Sequence, residues 1–294
     1  MKKSRFMGKH ELFVVLASTL WGTISIFKNM LSDLNLSETT VVFVRLFISA
    51  VVFGIYMFLK NPDLFKIKIR DLWCFFCTGI VSLFIFSLCY FKAMTLTSVG
   101  LAVTLLYTSP VFVTVMSVIF FKEKITRNKI LAIIIAIFGC IMVTELFTQN
   151  LENLNISGIL LGIMSGFSYA LYSIFGKVAI KKIYSSQTIT FYTFLFAFLG
   201  ALPFCNFNEI ISAIPTGNFW LGSLGISIVC CVLPYAFYTK GLMGTSSSKA
   251  SVLAVIEPVV GTLTGILVFS ETMSIYKLIG IVAVLSCTFL LKED

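Results

Sequence analysis

Charge is scarce in this 294-residue chain: Asp, Glu, Lys and Arg together make up 12% of it, and His10 is its one histidine. A single histidine leaves little for acid–base chemistry. No H-E-x-x-H, G-x-S-x-G or clustered-aspartate motif is present to build a hydrolytic or metal centre. The chain also lacks a P-loop, which excludes a pump driven by nucleotide hydrolysis. Cys74 and Cys77 have C-x-x-C spacing, but no second pair or histidine cluster accompanies them. The eight cysteines lie mostly within or at the ends of apolar runs and read as small packing residues. Nothing here calls for a cofactor.

What fills the chain is apolar: 58% hydrophobic residues, 30 of them phenylalanine, and a mean hydropathy of +1.00. Long apolar runs broken by short basic loops predict an all-α integral membrane protein in the lipid bilayer. Ten spans are expected, at 11–31, 37–59, 72–92, 95–121, 129–147, 157–177, 186–204, 218–239, 247–270 and 275–291. The runs are continuous rather than alternating, so helices and not barrel strands satisfy the backbone. The basic lead before Leu12 resembles that of a signal peptide, but the run to Phe27 is long for one, and Trp21 and Lys28 fit a retained first span.

With the N-terminus inside, the 22 Lys and Arg sort by face. Lys28, Lys92 and Lys277 fall outside, Arg45 lies within a span, and the rest, from Lys2, Lys3 and Arg5 to Lys292, fall inside. The outer loops 149–156 and 205–217 contain no Lys or Arg. This is the positive-inside pattern, and it predicts cytoplasmic termini at the cytoplasmic membrane. It also accounts for the net charge of +9 as topological bias and excludes nucleic acid as a partner.

The two halves, 1–148 and 149–294, repeat each other at an offset of 148 residues. Ser25-Ile26-Phe27 returns as Ser173-Ile174-Phe175, Lys92 as Lys240, Pro110 as Pro258, Glu123 as Glu271 and Lys129 as Lys277. Matches of Lys, Pro and Glu carry weight because lipid excludes these residues. Five helices per unit is an odd number, so the second copy enters the membrane upside down. Two inverted five-helix repeats with a site between them form the architecture of a secondary transporter working by alternating access.

Intramembrane polar residues are the candidates for that site. Glu257 stands about halfway along span nine, before Pro258, with Ala254 and Gly261 clearing space and Ser251 and Thr264 continuing its face. It reads either as a cavity carboxylate, able to bind a cation or carry a proton, or as a buried structural group bonded to a neighbouring hydroxyl. Arg45 would pair with an acid such as Glu257, neutralise a substrate carboxylate, or snorkel. Tyr107 and Tyr235, at mid-span, need hydrogen-bond partners; Trp21 and Ser109, the counterpart of Glu257, complete the candidate substrate site. Lys92 and Lys240, mirrored on opposite faces, and the helix-ending Glu123 and Glu271 suggest a Lys–Glu latch at each gate, or interfacial anchors. Pro110 and Pro258 are the helix-breaking positions, and Gly158, Gly162 and Gly166 form a close-packing ladder.

The stretches LASTLWGTISIFK, YFKAMTLTSVGLAVTLLYTSPVFVTVMSVIFFKEKIT and YTKGLMGTSSSKASVLAVIEPVVGTLTGILVFSETMS resemble the EamA family of the drug/metabolite transporter superfamily. The resemblance covers the whole chain as two units. It implies a ten-helix permease for a small-molecule substrate, often an amino-acid or related exporter. A membrane-embedded enzyme, or a sensor or scaffold, is the alternative; the latter leaves Glu257 and Arg45 without a role.

Overall fold

The computed structural model describes residues 8–32, 34–148 and 155–291. Lys2, Lys3, Arg5, Lys292 and most of loop 149–156 lie outside the described residues, so the charge sorting at both termini is not addressed by the fold. Among the described residues the regular structure is helical, with no strand.

Among the described residues eight helices are long and apolar enough to cross a membrane: α1 Lys9–Leu31, α2 Glu38–Lys60, α3 Ile69–Leu96, α4 Val99–Phe121, α6 Ile156–Lys181, α7 Ser186–Phe204, α8 Gly217–Leu242 and α9 Ser247–Phe269. The helices between and after them, α5 Arg127–Val143 and α10 Ile275–Leu290, have 17 and 16 residues. Both fall short of the about 20 residues a span ordinarily needs. In α5, expected to run to 147, the Thr144 hydroxyl turns back onto the Cys140 carbonyl at 2.8 Å. Glu145 then enters the left-handed region at φ 49 and ends the helix.

Hydroxyl and amide side chains start the helices. Ser37, Ser98, Thr126, Asn155, Ser185, Thr216, Ser246 and Ser274 each accept a backbone N–H of the following first turn. Several helices are interrupted at mid-depth. α4 divides into Val99–Leu106 and Ser109–Phe121, and α9 into Ser247–Leu253 and Ile256–Phe269. Pro110 and Pro258 explain both breaks: each lacks the N–H that the carbonyl four residues earlier would accept, and its ring crowds that carbonyl. α1 is broken between Trp21 and Ile24, and α3 and α8 contain wider π turns at Cys77–Phe84 and Ile228–Val232. Irregular backbone at membrane depth is tolerated where it lines a cavity or is buried in protein.

The glycine ladder packs as expected. A Cβ on Gly158 would come within 2.5 Å of Thr97, and one on Gly162 within 2.5 Å of Leu105, so α6 lies tightly on α3 and α4. All eight cysteines are free thiols, and Cys74, Cys140, Cys230, Cys231 and Cys287 are buried. Large apolar side chains such as Ile119, Leu221, Leu267 and Val282 cover the outside, as a lipid-facing surface requires.

The short helix Phe207–Ala213 is pinned to the start of α2 by Glu209, whose carboxylate accepts from the Ser37 N–H at 2.9 Å and the Ser37 hydroxyl at 2.8 Å. Partial burial pushes the Glu209 carboxyl up, but hydrogen bonds from Thr40, Ser37 and Asn206 outweigh it and hold the group below its ordinary value. A depressed carboxylate contributes stability fully above its unfolded pKa of about 4.3 and loses it as pH falls through the folded value. Glu209→Gln should therefore melt lower than the parent at neutral pH, and the gap should close below about pH 4 in melting curves of the detergent-solubilised protein. A gap unchanged across that range would assign no charge-dependent role to Glu209.

Candidate functional site

A cavity of about 580 Å³ enters the bundle from one end and reaches its mid-depth. Helix direction orders its walls. Lys28 near the end of α1, Met94 near the end of α3, Val99 at the start of α4, Glu145, Glu271 and Lys277 surround the mouth. Trp21, Arg45, Tyr107, Tyr235, Glu257 and Pro258 line the deeper part. The breaks in α1, α4 and α9 meet here, since Gly22, Tyr107 and Glu257 all lie at or beside an interruption and all face the cavity.

Glu257 sits in the first turn of the second piece of α9, where a carboxylate is favoured by the positive helix end. It accepts a hydrogen bond from the Tyr107 hydroxyl. Arg45 is 7% exposed and donates from Nη2 to the Ser87 hydroxyl at 3.2 Å. Its Nε is buried without a hydrogen-bond partner, and so is the Tyr169 hydroxyl. Among the described residues no ion pair joins Arg45 to Glu257. The cavity therefore holds a guanidinium and a carboxyl that are not bound to each other. Aromatic rings fill the space around them: Trp21 lies edge-on to Tyr235 at 5.2 Å and to Tyr169 at 6.1 Å.

Of the residues singled out from sequence, Glu257, Arg45, Tyr107, Tyr235, Trp21, Pro258 and Glu271 line this one cavity, as does Gly261. Ser109 and Pro110 are buried behind it, and Ser251 and Thr264 are buried without lining it. Among the described residues neither Lys92 nor Lys240 pairs with Glu123 or Glu271 in this state. Lys92 is exposed and does not line the cavity. Lys240 is exposed on the opposite face, its ammonium 4.6 Å from the centre of the Phe13 ring. Glu271 pairs instead with Lys277 at 3.1 Å, and Glu123 accepts from the Ser247 N–H at 3.0 Å and the Ser248 hydroxyl at 2.6 Å. Mirrored sequence positions say that two lysines end equivalent helices; they do not say which neighbour each side chain reaches.

Ser87 and Tyr169 were absent from the sequence-based candidates. The 148-residue offset would have found them, because their counterparts are Tyr235 and Trp21, and all four line the cavity.

The end opposite the mouth is closed by polar contacts. Besides the Glu123 bonds, Lys177 donates to the carbonyls of Leu242 and Thr245 at 2.6 and 2.8 Å. Lys249 pairs with Glu11 at 2.9 Å, and the Tyr238 and Ser173 hydroxyls meet at 2.7 Å. The protein is thus open at one end and sealed at the other.

Comparison with known proteins agrees with this architecture. An Archaeoglobus fulgidus protein named as an uncharacterized transporter is 30% identical over 279 residues, covering 94% of this chain and 93% of its own. A Salmonella typhimurium protein, the uncharacterized inner membrane transporter YicL, is 21% identical over 292 residues, covering 97% of this chain and 96% of its own. A protein of known crystal structure shares the fold at a TM-score of 0.78, with 15% identity and 96% of each chain covered. The EamA-like transporter family matches twice, over residues 8–145 and 156–292, so the chain is a multi-pass membrane protein that belongs to the EamA-like transporter family.

Proposed function

We propose that this protein is a secondary transporter that exports an amino acid or an amino-acid derivative across the cytoplasmic membrane. It does so by alternating access between two inverted five-helix halves of a ten-helix bundle. The observation that carries the substrate class is the unpaired arrangement of Arg45 and Glu257 in one aromatic-walled cavity. A guanidinium with a buried, unused N–H suits a carboxylate, and a carboxylate beside Tyr107 suits an ammonium. A zwitterion satisfies both without bringing net charge into the membrane. Under the positive-inside reading the mouth ringed by Lys28, Glu271 and Lys277 faces outward, and the sealed end, with Lys249 and Lys177, faces the cytoplasm. Among the described residues Glu257 is the carboxyl at mid-depth in the cavity, which gives a means of coupling to a proton gradient.

The reading is tested by titrating the purified protein with amino acids, the matching amines lacking the carboxylate, and the matching acids lacking the amine. Tryptophan fluorescence serves as the readout in protein whose Trp73 and Trp220 are replaced by Phe, which leaves Trp21, part of the wall, as the reporter. An amino acid should bind at least about tenfold more tightly than either truncated compound, since each truncation leaves one buried charge unanswered. Equal binding of the amine and the amino acid would remove Arg45 from substrate recognition.

A further inference from the structure

The loops that follow α4 and α9 adopt one conformation. Lys122 and Ser270 both take left-handed backbone, at φ 55 and φ 57. The N–H of Glu123 donates to the Ser117 carbonyl at 3.3 Å, and that of Glu271 to the Gly265 carbonyl at 3.1 Å. Lys129 Nζ donates to the Lys124 carbonyl at 3.1 Å, and Lys277 Nζ to the Thr272 carbonyl at 3.2 Å. Each of these pairs stands 148 residues apart. Only the carboxylates differ in what they hold. Glu123 caps the start of α9 through the Ser247 N–H and the Ser248 hydroxyl, at the sealed end. Glu271 turns to Lys277, with 53% of its side chain exposed, at the open end.

The counterparts of Ser247 and Ser248 are Val99 and Gly100, the first residues of α4. Both line the cavity on the same mouth as Glu271, and Val99 is 58% exposed. The preceding residues are also equivalent: Ser98 accepts from the Leu101 N–H and Ser246 from the Lys249 N–H. Of the two donors Glu123 engages at the sealed end, the Ser247 N–H has a counterpart at the open end, the Val99 N–H, and the Ser248 hydroxyl has none.

We infer that Glu271 is the mirror latch of Glu123. When the present mouth closes, Glu271 leaves Lys277 and accepts the N–H of Val99, while Glu123 releases Ser247 and Ser248 and the opposite end opens. The chemistry is that of a carboxylate on the unpaired N–H groups of a helix start, used in alternation at the two ends. Because Gly100 has no hydroxyl and Lys277 competes for the carboxylate, the second latch is the weaker one, which favours the state seen here.

This inference rests on the alternating-access reading, but its test uses no substrate, so the two can fail separately. Hydrogen exchange of the whole protein in lipid nanodiscs is followed at the amides of 247–253, which exchange when the sealed end opens. Glu123→Gln should speed that exchange about tenfold, since it loses its bonds to Ser247 and Ser248 in one state only; Glu271→Gln, which also gives up the exposed Lys277 pair of the present state, should slow it by a smaller factor of about three. The double variant should exchange more slowly than Glu123→Gln, and Gly100→Ser, which supplies the missing hydroxyl, should speed exchange relative to the parent. Exchange at 247–253 that is unchanged or faster in Glu271→Gln, in protein that remains folded by its melting curve, would overturn the latch.

Discussion

Glu257→Gln is expected to reduce transport about 30- to 100-fold and to leave the fold intact. The carboxamide keeps the size of the side chain and can still accept from the Tyr107 hydroxyl that now bonds Glu257. It cannot balance a substrate ammonium or carry a proton, and the lost charge-assisted contact accounts for a change of that order. Folding should not suffer: an intramembrane charge costs at least about 2.5–3.5 kcal/mol on insertion scales, so its removal eases insertion. The check is paired, with initial transport rates in proteoliposomes at several pH values and a melting curve of the same preparation. The residual rate should no longer respond to an imposed pH gradient. A variant that inserts normally and transports at the parent rate across the pH range would make Glu257 a structural residue.

Arg45 should show a different signature. Arg45→Gln is expected to weaken binding of the amino acid about 10- to 100-fold while leaving the matching amine almost unaffected, because only the amino acid brings a carboxylate to the guanidinium. Arg45→Lys should recover little of the loss: an ammonium keeps the charge but not the planar fork, and the buried Nε is the atom without a partner. The competing role is packing, since Arg45 is buried and bonded to Ser87. A packing role predicts that both ligands weaken together and that the melting temperature falls; recognition predicts a split between the ligands at constant melting temperature. Trp21 fluorescence titrations with the two ligands, beside one melting curve per variant, separate the two.

Much of this arrangement is written where lipid makes sequence expensive to vary. A carboxylate before a proline at mid-span is costly, so Glu257 and Pro258 stand out from the chain alone, and the structure puts both on the cavity wall beside a broken helix. The helical, membrane-spanning character follows as directly from apolar runs and scarce charge. Residues that are cheap in a membrane carry no such mark. Among 10 tyrosines and 30 phenylalanines, nothing local distinguishes Tyr169 from its neighbours; its unpartnered hydroxyl becomes evident only when α6 is laid against α1 and α3. Helix ends are also hard to place, because a single residue entering the left-handed region, as at Glu145, ends α5 without altering its hydropathy. Side-chain partners across the bundle are hardest of all. Glu123 and Ser247 are 124 residues apart, and neither residue type selects the other; only the packing of α4 beside α9 brings them together. The same holds for Lys92 and Lys240, whose mirrored positions do not select the neighbours their side chains meet in this state.

Transport itself is the most direct test. Purified protein is reconstituted into liposomes loaded with an unlabelled amino acid and diluted into the same amino acid carrying a radioactive label, over a panel of side chains, with and without a pH difference across the membrane. The alternating-access account predicts that at least one amino acid enters by saturable counterflow well above empty liposomes, that the rate responds to the pH difference, and that Glu257→Gln abolishes most of it. Label entering no faster than into empty liposomes for every amino acid in the panel, with the protein shown to be folded and inserted, would contradict amino-acid transport by this cavity.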